Sequence, residues 1–246
     1  MAISGKVVVV TGGSKGIGKA IALKAAAEGA NVVINYLSDV EAANNVVAEI
    51  GNDRALAFQA DIAKMEEIAR LIDATISRFG QIDVLIPNAA FIPNCSLRTM
   101  TEDDFDRAFA VNVKGPCFLA KQAVPHMSPG STIIFISSDM TDSSTILPQF
   151  LLYVSTKGAM NQTVRALARD LATAGIRVNA VSPGPTGTDA LYHAMDDEKL
   201  RMLASHNPFN RIGEAAEIAA VVSMLWSNDS AWVTGQILKV NGGSIL

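Results

Sequence analysis

The sequence predicts a doubly wound α/β fold, a parallel sheet of about seven strands with helices on both faces, and three observations carry that prediction. Val7-Val8-Val9-Val10 is too short and too β-branched for a buried helix, and suits a central strand covered on both sides. It runs directly into Thr11-Gly12-Gly13-Ser14-Lys15-Gly16-Ile17-Gly18. Glycines there let the backbone turn tightly and present its N–H groups to an anion at the positive end of the helix that follows. Strand-like and helix-like segments then alternate to the end of the chain with no Pro/Gly/Ser linker, repeat or low-complexity tract, so residues 1–246 are expected to form a single domain.

The elements follow in order. Residues 16–29 mix small and aliphatic side chains with Lys19, Lys24 and Glu28 and close at Gly29, as a first helix does. Asn31–Asn35 is a second strand. Ser38 or Asp39 caps a helix running to Ile50, and Ala55–Gln59 is a third strand leading to Asp61. Met65 to Phe79 places Ile68, Leu71, Ile72 and Ile76 at helical spacing before Gly80 ends it. Asp83–Ile86 is strand four, leading to Pro87-Asn88-Ala89-Ala90. Thr101 to Asp104 has the form of a capping box and opens a long helix to His126, with a disturbance expected at Gly115-Pro116. Ser131–Ile136, Ile176–Val181 and Gln236–Val240 are the remaining strands, separated by helices over 150–173 and 214–226.

Bulk composition narrows the function classes. With 20 Lys+Arg against 24 Asp+Glu the formal charge is -4, so no basic field exists to hold a nucleic-acid backbone. Apolar runs are broken within about ten residues, and no basic stretch leads into a long apolar one at the N-terminus, so a cytoplasmic location is expected. Cys95 and Cys117 are too far apart for a metal knuckle or redox pair, and His126, His193 and His206 lack ligand spacing, so no metal is expected.

Two phosphate-binding readings of the glycine turn compete. Gly13 to Ala20 reads G-x-x-x-x-G-K-A, but the P-loop pattern needs a hydroxyl after the lysine to hold magnesium, and Ala20 has none. The alternative is a dinucleotide turn, spaced G-x-x-x-G-x-G and not G-x-G-x-x-G. In a doubly wound sheet, ligands bind beyond the carboxyl ends of the strands, so the residues after each strand matter most. Strand five ends in Ser137-Ser138. One loop later, Tyr153-Val154-Ser155-Thr156-Lys157 sets a phenol and an ammonium four residues apart on one helix face.

Glycine turn, strand-end serine and Y-x-x-x-K in this order make the chain resemble the short-chain dehydrogenase/reductase family, whose phosphate turn is T-G-x-x-x-G-x-G. The resemblance extends from about Gly5 to Gly243 and implies a Rossmann-type fold and hydride transfer between a nicotinamide and a carbonyl carbon. It implies that Tyr153 protonates the carbonyl oxygen or, in reverse, acts as base. Lys157 lowers the phenol's pKa and holds the nicotinamide ribose, and Ser138, ahead of Ser137, orients the oxygen. Asn112 resembles the helix asparagine that holds a water of the family's proton relay; the alternative is a local hydrogen bond in a disturbed helix.

The same resemblance assigns Gly12, Ser14, Lys15, Gly16, Ile17 and Gly18 to the phosphates and Asp61 with Ile62 to the adenine, although Asp61 could equally cap the next helix. Asn88-Ala89-Ala90 resembles the family's N-A-G beside the adenosine ribose, departing from it at Ala90. Pro183, Gly184, Thr186 and Thr188 resemble the turn that holds the nicotinamide carboxamide, Thr188 ahead of Thr186. An acid ending strand two would repel a 2'-phosphate, but here the strand ends in Asn35-Tyr36. With Lys15 and the donor Ser38 nearby, NADP(H) is expected over NAD(H), Asp39 being the residue that weighs against it.

Residues 185–212 are expected as a substrate lid whose Leu191, Tyr192, Met195, Met202, Leu203 and Phe209 suit an apolar ketone, or else anchor two surface helices. A 3-oxoacyl reductase acting on an acyl carrier protein is the alternative, weakened by the absence of basic residues in 127–130 and 173–175. A non-catalytic NADP(H) sensor is the alternative of another class. A homotetramer is what the resemblance implies.

Overall fold

A computed structural model describes residues 3–246. Seven strands, β1 (Val7–Val10), β2 (Asn31–Tyr36), β3 (Ala55–Gln59), β4 (Val84–Ile86), β5 (Thr132–Ile136), β6 (Arg177–Pro183) and β9 (Ile237–Val240), form one sheet in the order β3-β2-β1-β4-β5-β6-β9. Every pairing is parallel. The all-valine β1 has its reason in the layering. Val8 and Val10 enter the core under α1 (Gly16–Ala27), α2 (Val40–Ile50) and α9 (Ala215–Trp226), whereas Val9 enters the opposite core under α3 (Met65–Phe79), α5 (Gly115–Ala123) and α6 (Leu151–Asp170). A strand with apolar neighbours on both sides has no polar face to alternate with.

The expected strands and helices are all present, their ends within a few residues of expectation. Asp39, not Ser38, caps α2, accepting from the Ala42 amide at 2.9 Å. The capping box at Thr101 and Asp104 opens α4 (Glu102–Phe109) as expected. The disturbance expected at Gly115-Pro116 lies earlier. Residues Ala110–Lys114 form a π-helical turn before α5 resumes at Gly115. Just after it the backbones of Gly115 and Ile62 touch, since a Cβ at Gly115 would run into the Ile62 carbonyl oxygen.

Between β6 and α9 the chain leaves the sheet. It forms the short pair β7 (Thr186–Gly187) and β8 (Gly213–Glu214), enclosing α7 (Asp189–Ala194) and α8 (Asp197–Ser205). Neither helix has a fully buried residue, and Tyr192, Met202 and Phe209 are all exposed. The order of strands reverses between β1 and β4, which opens a crevice beyond their carboxyl ends. No helix among the described residues is long and apolar enough to cross a membrane.

Candidate active site

The glycine turn is held open by its neighbours. Gly12 and Gly16 have φ of 62° and 53°, conformations that side chains other than glycine rarely adopt, and a Cβ at Gly18 would strike the Gly12 carbonyl. The Asn88 side-chain amide donates to the Thr11 and Gly12 carbonyls at 2.8 and 3.2 Å. The Thr11 hydroxyl in turn accepts from the Asn88 and Ala89 amides at 2.9 and 3.1 Å. Asn88-Ala89 thus splints the turn from β4. Helix α1 begins with neither a side-chain cap nor an acidic residue in its first turn, so its positive end faces the crevice unneutralised. That arrangement fits the phosphates of the dinucleotide that the resemblance implies.

At the adenosine end two side chains already have partners. Asn35, which stands in place of an acid at the end of β2, faces inward: it is 2 % exposed, and its amide nitrogen donates to the Ala60 carbonyl at 2.9 Å while its oxygen meets the Gly12 amide at 3.4 Å. It ties β3 to the glycine turn. Lys15 is exposed at the rim as expected, but its ammonium is paired with Asp39, which raises the lysine and lowers the carboxyl from their ordinary values. Tyr36 is buried, and Ser38 is exposed beside Asp39.

Asp61 does not cap α3. It accepts from the Ala63 amide at 3.0 Å and from Arg107 at 2.9 Å; burial pushes its carboxyl up, but these two partners outweigh that and hold it below its usual value. Ile62 is buried beside it, and Ala90 is exposed. A groove of about 370 Å³ lined by Leu37, Gln59, Asp61, Lys64, Glu67 and Arg70 opens at this end.

At the other end of the crevice, Ser138, Tyr153 and Lys157 come together as expected. Strand β5 delivers Ser138 and α6 delivers the other two. The Ser138 hydroxyl lies close enough to the phenol to favour its ionised form, while the adjacent Ser137 is spent on Asn161 at 2.6 Å. Burial nevertheless pushes Tyr153 up to about 12, and the Asp139 carboxyl adds to the rise. The Lys157 ammonium sits 5.6 Å from the phenol ring centroid and donates to the Ile136 carbonyl at 2.6 Å. Burial brings Lys157 down to about 8, so it remains mostly protonated at neutral pH.

The Asn112 side chain accepts from the Phe91 amide at 2.7 Å and donates to the Phe91 carbonyl and the Thr156 hydroxyl at 2.8 and 3.0 Å. The hydroxyl of Thr156 donates to the Tyr153 carbonyl at 2.7 Å. These bonds reach 21 and 44 residues along the chain, so the side chain is not held by the local bond considered as the alternative; it ties the π turn to the loop after β4 and to the tyrosine helix. Pro183 and Gly184 close β6 against Asn241, since a Cβ at Gly184 would lie 2.7 Å from that of Asn241. Thr186 is turned back onto the Gly184 carbonyl at 2.9 Å. Thr188 caps α7 and lies across the crevice mouth from Gly16.

Four residues were missed from the sequence. Thr11 belongs to the T-G motif and had a local signal; Arg107, Thr156 and Asp139 act across elements and had none.

The comparisons agree with this geometry. A family model described as "Enoyl-(Acyl carrier protein) reductase" matches residues 12–244. Versicolorin reductase 1 from Dothistroma septosporum is 38% identical, with 98% of this chain and 97% of that protein covered. Elsinochrome reductase 1 from Elsinoe fawcettii is 36% identical over 99% of this chain and 96% of its own. A short-chain dehydrogenase from Burkholderia cenocepacia, solved in complex with NADP, superposes with a TM-score of 0.93 at 34% identity, covering 99% of each chain. The fold and the serine, tyrosine and lysine grouping define a Rossmann-type oxidoreductase. The chain belongs to the short-chain dehydrogenase/reductase family.

Proposed function

We propose that the protein is an NADP(H)-dependent carbonyl reductase interconverting a ketone and a secondary alcohol. The observation that carries this is the convergence of Ser138, Tyr153 and Lys157 at the carboxyl end of β5, next to an uncapped α1 terminus suited to phosphates. The cofactor supplies the hydride. Tyr153, protonated at neutral pH, donates the proton that the nascent alkoxide needs, and Ser138 orients the carbonyl oxygen. Lys157 contributes a positive charge under the ring and a donor for the ribose. Asn112 holds the tyrosine helix through Thr156.

NADP(H) is favoured over NAD(H) because Lys15 stands at the rim with Ser38 beside it, and the Burkholderia neighbour binds NADP. Gly12, Ser14, Gly16, Ile17 and Gly18 form the phosphate cradle. Asn88, Ala89, Asp61 and Ile62 border the adenosine, and Pro183, Gly184 and Thr188 border the nicotinamide. Residues 1–246 act as one catalytic domain with 185–212 as its lid, a reading supported by the exposed side chains of Tyr192, Met202 and Phe209. Those side chains favour an apolar substrate, and the names of the versicolorin and elsinochrome reductases point to ring-bearing carbonyl compounds. The family model's name keeps a carrier-protein thioester as second reading.

A homotetramer would cover the fully exposed Trp232 and Leu246 near the edge strand β9 and the exposed Phe105 and Phe118 on α4 and α5. A cytoplasmic location suits two unpaired thiols, Cys95 and Cys117. The test is initial rates with NADPH and NADH across cyclic diketones, quinones, small ketones and 3-oxoacyl thioesters. NADPH-dependent reduction of ring ketones is expected. Binding of NADPH with no turnover on any of them would leave a sensor instead.

A further inference from the structure

Helix α6 carries a third polar side chain in line with the two already described. Tyr153, Lys157 and Asn161 are spaced four residues apart, so they share one face of the helix, and Asn161 is 8 % exposed. Its amide reaches the end of β5 twice. The Ser137 hydroxyl donates to Asn161 Oδ1 at 2.6 Å, and Asn161 Nδ2 donates to the Thr141 hydroxyl at 3.1 Å. That hydroxyl donates in turn to the Ser138 carbonyl at 2.9 Å. Proton counting fixes these directions. The single proton of Thr141 is committed to the Ser138 carbonyl, so its oxygen must accept from Asn161 and the amide cannot be turned round. The Ser138 oxygen itself accepts from the Met140 amide at 3.3 Å, in the 3₁₀ turn Asp139–Asp142, which leaves its own proton for a substrate oxygen.

We propose that Asn161 is a positioning residue that holds the Ser138 turn, through Thr141, at a fixed distance from the helix carrying Tyr153, so that serine and phenol meet the same carbonyl oxygen. This rests on the carbonyl-reductase reading and deepens it by naming what sets the two donors against each other. The covalent connection does not set them, because the chain from Ser138 to Tyr153 runs out through 144–148, where every residue is exposed. The side chains of α6 do. Lys157 grips Ile136 at the end of the strand and Asn161 the two positions that follow, so residues 136, 137 and 138 are each tied to the tyrosine helix. The tie to Ser138 ends on that residue's own backbone, passes through uncharged groups and transfers no proton, so it acts by geometry alone. Misplacing a reacting group by about 1 Å costs about 100-fold in rate, which sets the scale of the effect.

The test is a pair of variants of the full-length protein, each read with and without Ser138. Asn161→Leu removes the amide; Thr141→Val, at a half-buried position, removes only the middle hydroxyl at nearly constant shape and keeps the test alive if the first variant does not fold. Single-turnover reduction of a cyclic diketone at saturating NADPH keeps slow variants measurable. Each change is expected to slow reduction by about 10- to 100-fold with NADPH affinity unchanged, and the double variant to be no slower than the worse of the two. In a Ser138→Ala background either change is expected to cost less than about twofold further. The same loss in both backgrounds overturns the proposal, because a helix merely loosened would slow both alike, and so does wild-type activity in Thr141→Val. Without substrate, amide exchange over 138–142 is expected to speed up in both variants while exchange in β1 stays as in wild type, and unchanged exchange in that turn overturns the proposal as well. A wild type that reduces no carbonyl sinks the reductase reading, and the exchange result still decides whether Asn161 holds the turn.

Discussion

The two ends of the crevice hold their lysines in opposite ways. At the adenosine end, Lys15 and Asp39 form a pair whose side chains are 57% and 40% exposed. At the chemical end, Lys157 is 4% exposed, has no carboxylate partner among the described residues and spends its ammonium on a backbone carbonyl. An exposed pair is screened by water and contributes little to stability, so a ligand phosphate can replace the carboxylate at small cost. A buried ammonium held by one carbonyl costs desolvation that this bond offsets only in part, and burial brings it down to about 8. One end is adaptable and the other preorganised.

The largest effect that separates the ends is expected from Tyr153→Phe. It removes one oxygen from the preorganised end and should lower kcat for ketone reduction by about 10²- to 10⁴-fold, the span of general acid catalysis. NADPH affinity, set by the turn and the far end, should stay unchanged in a fluorescence titration. A matching loss of affinity would show that the two ends do not act separately.

Lys157→Met comes next and should trade stability for activity. Moving an ammonium from 10.5 to about 8 corresponds to about 3 kcal/mol between its two protonation states, part of which an apolar side chain recovers. Urea midpoints at neutral pH should therefore show the variant more stable by about 1–3 kcal/mol, with reduction slowed by about 100-fold. The sign of the pH dependence provides a second check. Between about 8 and 10.5 the unfolded chain holds a proton on Lys157 that the folded chain has lost, so wild-type stability rises with pH across that window on this account, and the variant lacks the rise. The same midpoint for both proteins would mean that the ammonium is not destabilising where it sits.

What the sequence made legible follows this division only in part. The valine strand, the glycine turn, the Thr101 capping box and the serine-tyrosine-lysine order are all local patterns, and the structure has them where expected. The inward turn of Asn35 was not legible because an asparagine ending a strand has one local signature, whichever way its side chain faces. Strand alternation held the missing clue: Asn35 shares a face with Val33, which is buried in the core under α3 and α6. The Asp39 pairing was half visible, since the cap was considered and the lysine was not connected to it. Nothing local could show the π turn, which lies just before the place where Gly115 meets the Ile62 backbone, or the tethering of Asp139 to a tail a hundred residues on.

Gly18→Ala should weaken both ends through the frame between them. Its Cβ would meet the Gly12 carbonyl and lie 2.6 Å from the Asn88 amide, so the splint from β4 to the glycine turn must open. Forced overpacking of this kind costs about 1–3 kcal/mol, read as a lower urea midpoint, and the distorted cradle should raise KM for NADPH by about tenfold. Since Ser138 and Tyr153 lie on other elements, kcat at saturating cofactor should change least. A fall in kcat with KM unchanged would mean that the turn positions the hydride and does not merely hold phosphate.

The smallest change belongs to the adaptable end and concerns which cofactor it prefers. Asp39→Asn keeps an oxygen for the Ala42 amide, so α2 remains capped, and removes only the negative charge that occupies Lys15. The freed ammonium should raise the NADPH-to-NADH ratio of kcat/KM by about 3- to 10-fold, and Lys15→Ala should lower it. Both shifts should shrink as salt is raised from 0.05 to about 0.5 M, because charges this exposed are screened within a few ångströms. The Tyr153 and Lys157 effects, generated in the buried end, should persist at the same salt. If the Asp39→Asn ratio stays at the wild-type value at low salt, the 2'-substituent is read elsewhere on the rim. The contrast between an exchangeable and a preorganised charge would then fail at its weaker side.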